Sequence, residues 1–383
     1  MIVLVIALGF ALAYFLLQLY YFIYWQLAPS FSSANNTVDE GVTIIVIARN
    51  EEYSIGKCLQ GLLDQHYPAE LFEIIVVDDH STDNTVEVIK EMAHPQVKLY
   101  LLSDYPTYIK APAFKKSGIT LAVDKASFEN IIVTDADCLH PENWLKTMTS
   151  SLLKRKLIFQ TAPVLIKEGT SMIEKMQEME QLMLMLITGS GITSRLHDLA
   201  NGANMAFRKS AFLAVKGFEG NEQFASGDDM FLIEKMRKAF PEDIGFVKSL
   251  SVTIYTPGKK TWSSLFTQRL RWAGKNKGLE NKSINRIWFF IGAYHAVMIL
   301  SLFAALFQMI SPWPFILLLC VKWTMDYMLV ATSAAFFKRT SLLKYFVPLQ
   351  FMYTYYVLRL GTMMIIGTRA ERQKGGTAER WRE

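Results

Sequence analysis

The chain has 383 residues, 51% of them apolar, and its formal net charge is +5. Nucleic-acid-binding proteins present a basic face with interleaved aromatic side chains, which this sequence lacks, so no nucleic-acid partner is expected. The three cysteines are odd in number and far apart. That spacing excludes a disulfide framework and a zinc motif and fits a reducing compartment.

The apolar excess lies near the two ends of the chain, at residues 1–27 and 287–367. Residues 1–25 contain no charged side chain and are long enough to cross a bilayer as one helix. The alternative is a cleaved signal peptide, but no basic residue precedes the apolar run. The run also ends in an aromatic segment, residues 20–25, of the kind found at membrane interfaces. We therefore predict a retained N-terminal anchor over residues 1–27.

The C-terminal apolar region predicts two further spans, over residues 287–310 and 312–337. The second of these carries Lys322 and Asp326, whose spacing of four residues allows them to pair within a helix. The pair either reduces the cost of burying charge or belongs to a substrate tunnel, and the sequence leaves both interpretations open.

A last apolar stretch, residues 342–367, conflicts with the rule that basic loops stay on the cytoplasmic side. Basic residues place the segment before residue 287 inside, and Lys338 and Arg339 place the next loop inside as well. The basic tail, residues 368–383, should also be inside, yet one more crossing would put it outside. We therefore expect a re-entrant or interfacial hairpin, and the alternative is a tail that breaks the rule.

Strand and helix patterns alternate between these ends, over residues 40–280. Short runs rich in β-branched residues indicate strands buried on both faces, and helical patterns separate them. Such alternation requires right-handed crossovers and predicts an α/β fold with a parallel sheet. The predicted strands are Val42–Ala48, Glu73–Val77, Val97–Leu102 and Asn130–Thr134, and the helices between them are Glu51–Gln65, Asp83–Met92 and Lys115–Ala126.

The first, second and fourth of these strands each run into polar residues, at the sheet edge where parallel α/β sheets bind ligands. Helix capping and surface solubility are the alternative explanation, which accounts for one acidic group but poorly for all three. The residues concerned are Arg49, Asn50 and Glu51, then Asp78, Asp79 and His80, and finally Asp135 and Asp137.

Asp135 and Asp137 form an Asp-x-Asp pair, whose carboxylates point the same way in an extended turn. Two such carboxylates favour a hard divalent cation, Mg²⁺ or Mn²⁺. A cation there would neutralise the charge that builds up on a departing diphosphate. The motif is common by chance, and its position directly after a buried strand is what gives it weight.

Asp228 and Asp229 open a predicted helix. They either cap that helix and complement its dipole, or supply a general base. Lys115 and Lys116, at the start of an earlier helix, either face phosphate or lie on a solvated face.

Residues 268–272 (QRLRW) precede the second predicted span. Gln268, Arg271 and Trp272 share one face of a helix. Arg269 or Arg271 is suited to bind a pyrophosphate, and the tryptophan to stack on a sugar. The alternative is a cationic and aromatic belt beside the membrane.

Five segments follow one another in this sequence: VTIIVIARNEE, EIIVVDDHSTDNT, VTDADC, SGDD and QRLRW. In that order they resemble the family-two, GT-A-fold membrane glycosyltransferases, such as cellulose, hyaluronan and poly-N-acetylglucosamine synthases and ceramide glucosyltransferases. The resemblance covers about residues 42–272. It implies a GT-A nucleotide-sugar-binding fold with a mixed, mostly parallel sheet, flanked by transmembrane helices.

By this resemblance, Asp79 reads the uracil and ribose of the donor, and Asp229 is the base that activates the acceptor. Asp228 departs from the family, in which a glutamate is usual. The implied metal ligands are Asp135 and Asp137, and the implied substrate-binding residues are Arg49, Asn50, Glu51, Asp78, Lys115, Lys116, Gln268, Arg269, Arg271 and Trp272.

The resemblance implies an inverting, metal-dependent transfer of a hexose or N-acetylhexosamine from a UDP-sugar to a hydroxyl of a lipid or glycan. We expect an integral protein of a bacterial inner membrane with its catalytic domain in the cytoplasm. The small number of spans favours a lipid or short acceptor, and the methionine-rich segment 172–187 either meets such a lipid or is an ordinary packed helix. Two alternatives stay open: a processive polysaccharide synthase, and a catalytically silent membrane subunit of a polysaccharide secretion complex.

Overall fold

The structure, a computed structural model, describes residues 2–32, 39–275, 278 and 280–373. Most of the basic tail predicted over residues 368–383 therefore lies outside the described residues. Strand and helix alternate through the middle of the chain, and long apolar helices flank this region on both sides.

A mixed β-sheet forms the centre of the molecule. Its strands are β1 (Val42–Ala48), β2 (Phe72–Asp78), β3 (Val97–Leu101), β4 (Asn130–Asp135), β5 (Phe159–Thr161), β7 (Met205–Arg208) and β8 (Ile244–Phe246), while β6 (Val164–Ile166) and β9 (Ile254–Thr256) form a separate pair. The order across the sheet is β3-β2-β1-β4-β7-β5-β8. β1 to β4 are parallel and β7 runs antiparallel to both of its neighbours, so the sheet is mixed and mostly parallel, as predicted.

The helices cover the sheet and extend beyond it. They are α1 (Ile2–Leu27), α2 (Ile55–Leu63), α3 (Thr85–Met92), α4 (Phe114–Lys125), α5 (Trp144–Lys154), α6 (Met172–Ser194), α7 (Lys209–Ala214), α8 (Asp228–Ala239), α9 (Trp262–Lys275), α10 (Ser283–Leu306), α11 (Trp313–Phe336) and α12 (Phe346–Gln373). Neighbouring residues of β1 face different hydrophobic clusters: Ile44 packs with α2 and α5, and Ile45 with α4 and α6. Burial on both faces explains the unbroken apolar strands of the sequence.

Within the described residues, three helices are long and apolar enough to cross a membrane: α1, α10 and α11. They match the three spans predicted most directly. The last apolar stretch differs from expectation, because α12 is one continuous helix of 28 residues without the chain reversal that a hairpin needs.

The C-terminal end of α1 is docked on the region around the β-sheet. Tyr21 and Trp25 are each only 1% exposed. Lys248 donates from Nζ to the carbonyl of Trp25 at 2.6 Å and lies over its ring. These two aromatic side chains therefore pack against protein rather than marking a membrane interface. The methionine-rich helix α6 is likewise packed, since Ser333 of α11 donates to the Leu182 carbonyl at 2.6 Å.

Candidate active site

The loop after β1 is shaped by Asn50, which has a positive φ of 55°. Its side-chain oxygen accepts from the backbone N–H of Thr82 at 2.8 Å, and its own N–H donates to Ser81. The N–H of Glu51 donates to the Thr85 hydroxyl at 2.7 Å. These bonds join the loops that follow β1 and β2. Asn50 therefore fixes the shape of the loop at this edge of the sheet.

Asp79 is held at that edge by its backbone, which donates to the Ala48 carbonyl at 2.8 Å. Its carboxylate lies 3.6 Å from the Arg49 guanidinium and accepts from His80 Nδ1 at 2.9 Å. Burial raises the pKa of Asp79, although His80 and Arg49 oppose the shift. Next to it, Asp78 accepts the Ser81 N–H at 3.1 Å and supports the loop.

Three carboxylates converge where β1 and β4 end. Burial raises the pKa of Asp137, and the neighbouring Asp135 raises it further. Burial also raises the pKa of Glu51, with smaller contributions from Asp137 and Asp135. The Thr256 hydroxyl orients Asp137 by donating to Oδ2 at 3.1 Å. The structure thus brings these residues, predicted separately from two strand ends, into one acidic cluster.

Lys115 connects this cluster to the acidic pair that opens α8. Its Nζ lies 2.7 Å from Oδ1 of Asp135 and 3.3 Å from Oδ2 of Asp228. Burial opposes the charge on Lys115, but Asp135 and Asp228 outweigh it and raise the lysine pKa. Asp229 also contributes to that shift, and its Oδ1 accepts the Met230 N–H at 2.7 Å. One ammonium group therefore joins residues 93 positions apart in the chain.

Carboxylate oxygens are the ligand type that a hard divalent cation prefers, and Asp135 and Asp137 carry such oxygens. Among the described residues, no group of three His, Cys, Asp or Glu side chains forms a metal cage. A pair of carboxylates is nevertheless the usual protein contribution to a Mg²⁺ site that substrate phosphates complete. The ammonium of Lys115 already lies against Asp135, so a cation bound there would have to share or displace it.

Gly202 allows the close approach of Lys115 and Asp228. A Cβ added at Gly202 would lie 2.6 Å from Asp228 Oδ2 and 3.3 Å from Lys115 Nζ. We expect Gly202→Ala to lower kcat by about 10²-fold, the scale for small displacements of reacting groups. The matched control is Gly61→Ala, because a Cβ there meets nothing within 4 Å. Wild-type kcat in Gly202→Ala, at an unchanged melting temperature, would contradict this view of the site.

Lys116 lies away from this cluster. It is 2% exposed, donates to the carbonyls of Asn221 and Phe224 at 2.9 Å each, and sits 4.5 Å from the ring centre of Phe231. These contacts hold the loop before α8, and the role of Lys116 in substrate binding stays a prediction.

Arg269 is buried and bonded to two other helices. It is 7% exposed, and its Nη2 lies 2.5 Å from Glu180 of α6. Its Nε donates to the Tyr356 hydroxyl of α12 at 3.1 Å, and its Cζ lies 4.3 Å from the centre of the Trp272 ring. Of the other QRLRW side chains, Arg271 is exposed, and Gln268 and Trp272 are partly buried. Arg269 therefore docks α9 on α6 and α12 and supports Trp272.

The two arginines of α9 should behave differently when each is replaced by glutamine. Arg269→Gln removes a charged hydrogen bond to Glu180 and should cost about 1.5–3 kcal/mol of stability. Arg271→Gln is the matched control and should leave stability unchanged, because that side chain is exposed. Thermal unfolding in nanodiscs measures both. Equal melting temperatures for the two variants would show that Arg269 does not hold α9.

Sequence patterns missed several residues of this region. Thr256 and Gly202 lie far along the chain from the carboxylates they serve, and Glu180 and Tyr356 carry no motif of their own. A contact between distant segments leaves no local periodicity, so the sequence offers no pattern for these residues.

Comparisons with known proteins agree with this geometry. A family model described as Glycosyl transferase family 2 matches residues 43–215, and another described as Glycosyl transferase family group 2 matches residues 130–366, more than half of the chain. A poly-beta-1,6-N-acetyl-D-glucosamine synthase of Staphylococcus epidermidis is 24% identical over 241 residues, 61% of this chain and 54% of that protein. A beta-monoglucosyldiacylglycerol synthase of Nostoc sp. is 33% identical over 96 residues, 25% of this chain and 20% of that protein. The chain thus spans about half the length of the first relative and less of the second.

Among solved structures, the mannosyltransferase PcManGT from Pyrobaculum calidifontis, in complex with GDP-mannose and Mn²⁺, has a similar fold. The TM-score is 0.58 at 19% identity, and the match covers 95% of this chain and 99% of that one. This similarity confirms the predicted GT-A fold.

Proposed function

This chain belongs to glycosyl transferase family 2, and we propose that it moves a hexose or N-acetylhexosamine from a UDP-sugar to a hydroxyl of a lipid or glycan, with inversion. The observation that carries the proposal is the bridge from Asp135 through Lys115 to Asp228. It brings the predicted metal-binding carboxylates and the acidic start of α8 to one place. A donor diphosphate and an acceptor hydroxyl can meet there.

The reaction is a single displacement. Asp79 and Arg49 hold the nucleoside, and Lys115 exchanges a carboxylate for the diphosphate. Asp229 takes the proton of the acceptor hydroxyl as its oxygen bonds to the anomeric carbon, while the bond from that carbon to the diphosphate breaks. A Mg²⁺ or Mn²⁺ held by Asp135 and Asp137 would supply charge neutralisation of the leaving group.

A lipid or short glycan acceptor is favoured by the apolar helices of the chain. Three helices of the described residues are long and apolar enough to cross a membrane, and one relative is named as a synthase of a glucosyl lipid. We place the protein in a bacterial inner membrane with the site on the cytoplasmic side, where nucleotide sugars occur. The runner-up is a processive synthase, favoured by the longer match to the poly-N-acetylglucosamine synthase.

Product analysis distinguishes the two. Full-length protein in nanodiscs is incubated with a labelled UDP-sugar and membrane lipid extract. We expect a lipid-soluble product with one added sugar, and NMR should show an anomeric configuration opposite to that of the donor. A ladder of long products would favour the processive synthase, and retained configuration would contradict single displacement.

A further inference from the structure

A cavity lies between α8, the segment after α6 and the start of α10, away from the acidic cluster. Its volume is about 290 Å³, at the lower end of the range of small-molecule sites, roughly 300–1,000 Å³. One wall is α8, and another is the segment that follows α6. The third wall is formed by Asn281 and by Ile284 in the first turn of α10. The lining residues are His197, Asp198, Met230, Glu234, Arg237, Lys238, Asn281 and Ile284.

The cations of this cavity are already neutralised. Arg237 Nη2 lies 2.7 Å from Asp198, and Lys238 pairs with Glu280. The Glu234 carboxylate accepts the N–H of Asn281 at 2.7 Å. An anionic ligand would have to break these pairs, so the electrostatics do not favour a phosphate.

The wall instead offers donors, acceptors and apolar surface together. Asp198 and Glu234 can accept hydrogen bonds, and the Asn281 amide can donate them, while Met230 and Ile284 supply carbon surface. This mixture suits a group with many hydroxyls on a C–H framework.

His197 adds an independent observation. It is 1% exposed, and its Nε2 lies 3.0 Å from the Tyr21 hydroxyl of α1. Burial lowers the pKa of His197 to about 4, so the ring is neutral near pH 7 and presents one donor and one acceptor nitrogen. Its Nδ1 has no hydrogen-bond partner among the described residues. Buried polar atoms are normally paired, so His197 has unused hydrogen-bonding capacity in the wall of the cavity.

The position of the cavity relates it to the acidic pair. α8 begins with Asp228 and Asp229 and lines the cavity from Met230 to Lys238. At 1.5 Å per residue, that stretch is about 12 Å long. The C-terminal part of α1 and the N-terminal end of α10 adjoin it through Tyr21 and Ile284.

We propose that this juxtamembrane cavity binds a neutral sugar, either the headgroup of a glycolipid or a unit of a soluble glycan. The inference that the bound sugar is the acceptor rests on the proposed transfer function. The inference that the cavity binds a sugar does not depend on that function. The site is separate from the strand ends that would hold the donor.

The test measures binding without turnover. In the first sample, full-length protein is placed in phosphatidylcholine nanodiscs that contain β-monoglucosyldiacylglycerol. In the second, phosphatidylglycerol replaces the glucolipid. In the third, cellobiose is added to protein in phosphatidylcholine nanodiscs. Hydrogen exchange is followed in peptides covering residues 228–240 and 280–290. The blocking variant is Ile284→Trp, which fills the cavity. The matched control is Leu300→Trp on the same helix, at a side chain that is 67% exposed.

We expect the glucolipid to slow exchange in both peptides of the wild type and of Leu300→Trp, with at least tenfold weaker binding in Ile284→Trp. Protection by cellobiose but not by the glucolipid would support the same chemistry and assign the source to a soluble glycan. Equal protection by phosphatidylglycerol, equal binding in Ile284→Trp, or protection by neither sugar would overturn the proposal. Loss of glycosyl transfer alone would leave it standing, because no step of the assay needs a donor.

Discussion

Asp229→Asn is expected to lower transfer by about 10²–10⁴-fold, the usual contribution of a general base. Asp229 is 8% exposed and follows Asp228, which the Lys115 bridge places beside the predicted metal ligands. Asparagine has nearly the same shape and can still accept the Met230 N–H, so α8 should begin at the same residue. What it cannot do is take a proton from the acceptor hydroxyl.

Donor binding separates this loss from a damaged site. Calorimetric titration with UDP and Mn²⁺ should give the same affinity for Asp229→Asn as for the wild type. Asp104→Asn is a suitable control, because Asp104 is exposed and remote in sequence from the acidic cluster. Turnover within about threefold of the wild type would show that another group is the base.

The second large effect concerns an ion pair buried among the apolar helices α1, α11 and α12. Lys322 is 1% exposed and donates to Asp326 at 2.5 Å and to Gln350 of α12 at 2.6 Å. Tyr14 of α1 donates to the other oxygen of Asp326 at 2.5 Å. Charge in an apolar span is tolerated where such partners satisfy it. The cluster therefore joins α1, α11 and α12.

Asp326→Ala leaves the Lys322 ammonium buried without its carboxylate and should cost about 3–5 kcal/mol of stability. Lys322→Met leaves the reverse defect and should cost a similar amount. The double variant Lys322→Met/Asp326→Leu should be more stable than either single variant, because no charge remains buried. Thermal unfolding in nanodiscs measures all three. Additive losses would mean that the two charges do not interact, and a lower kcat in a stable double variant would favour the substrate-tunnel interpretation.

Local patterns were sufficient to predict the strands of the parallel half of the sheet. Three of them, β1, β2 and β4, are short β-branched runs buried on both faces, and their ends place acidic residues at the ligand edge. Helix starts were less predictable. α2 begins at Ile55 rather than Glu51. The Glu51 and Glu52 N–H groups bond to Thr85, the first residue of α3, and to Asp83 before it, and such contacts with a distant segment leave no local pattern.

The remaining features depend on contacts between distant segments. β5 and β8 are three residues each, too short to show a period, and β7 enters the sheet between β4 and β5. The contacts of Lys116 with Asn221 and of Arg269 with Glu180 join segments far apart in the chain, so no local pattern could predict them. The hairpin expected over residues 342–367 came from a charge rule, which does not determine whether a helix continues.

Nucleoside-diphosphate release tests the central claim most directly. Full-length protein is assayed with UDP-glucose, UDP-N-acetylglucosamine and GDP-mannose, in the presence of Mn²⁺ or Mg²⁺ and membrane lipid extract. We predict release from one uridine donor, abolished by EDTA and by Asp229→Asn. Release that persists in EDTA would contradict the metal assignment. No release from any donor would contradict the proposed transfer and favour a catalytically silent membrane subunit.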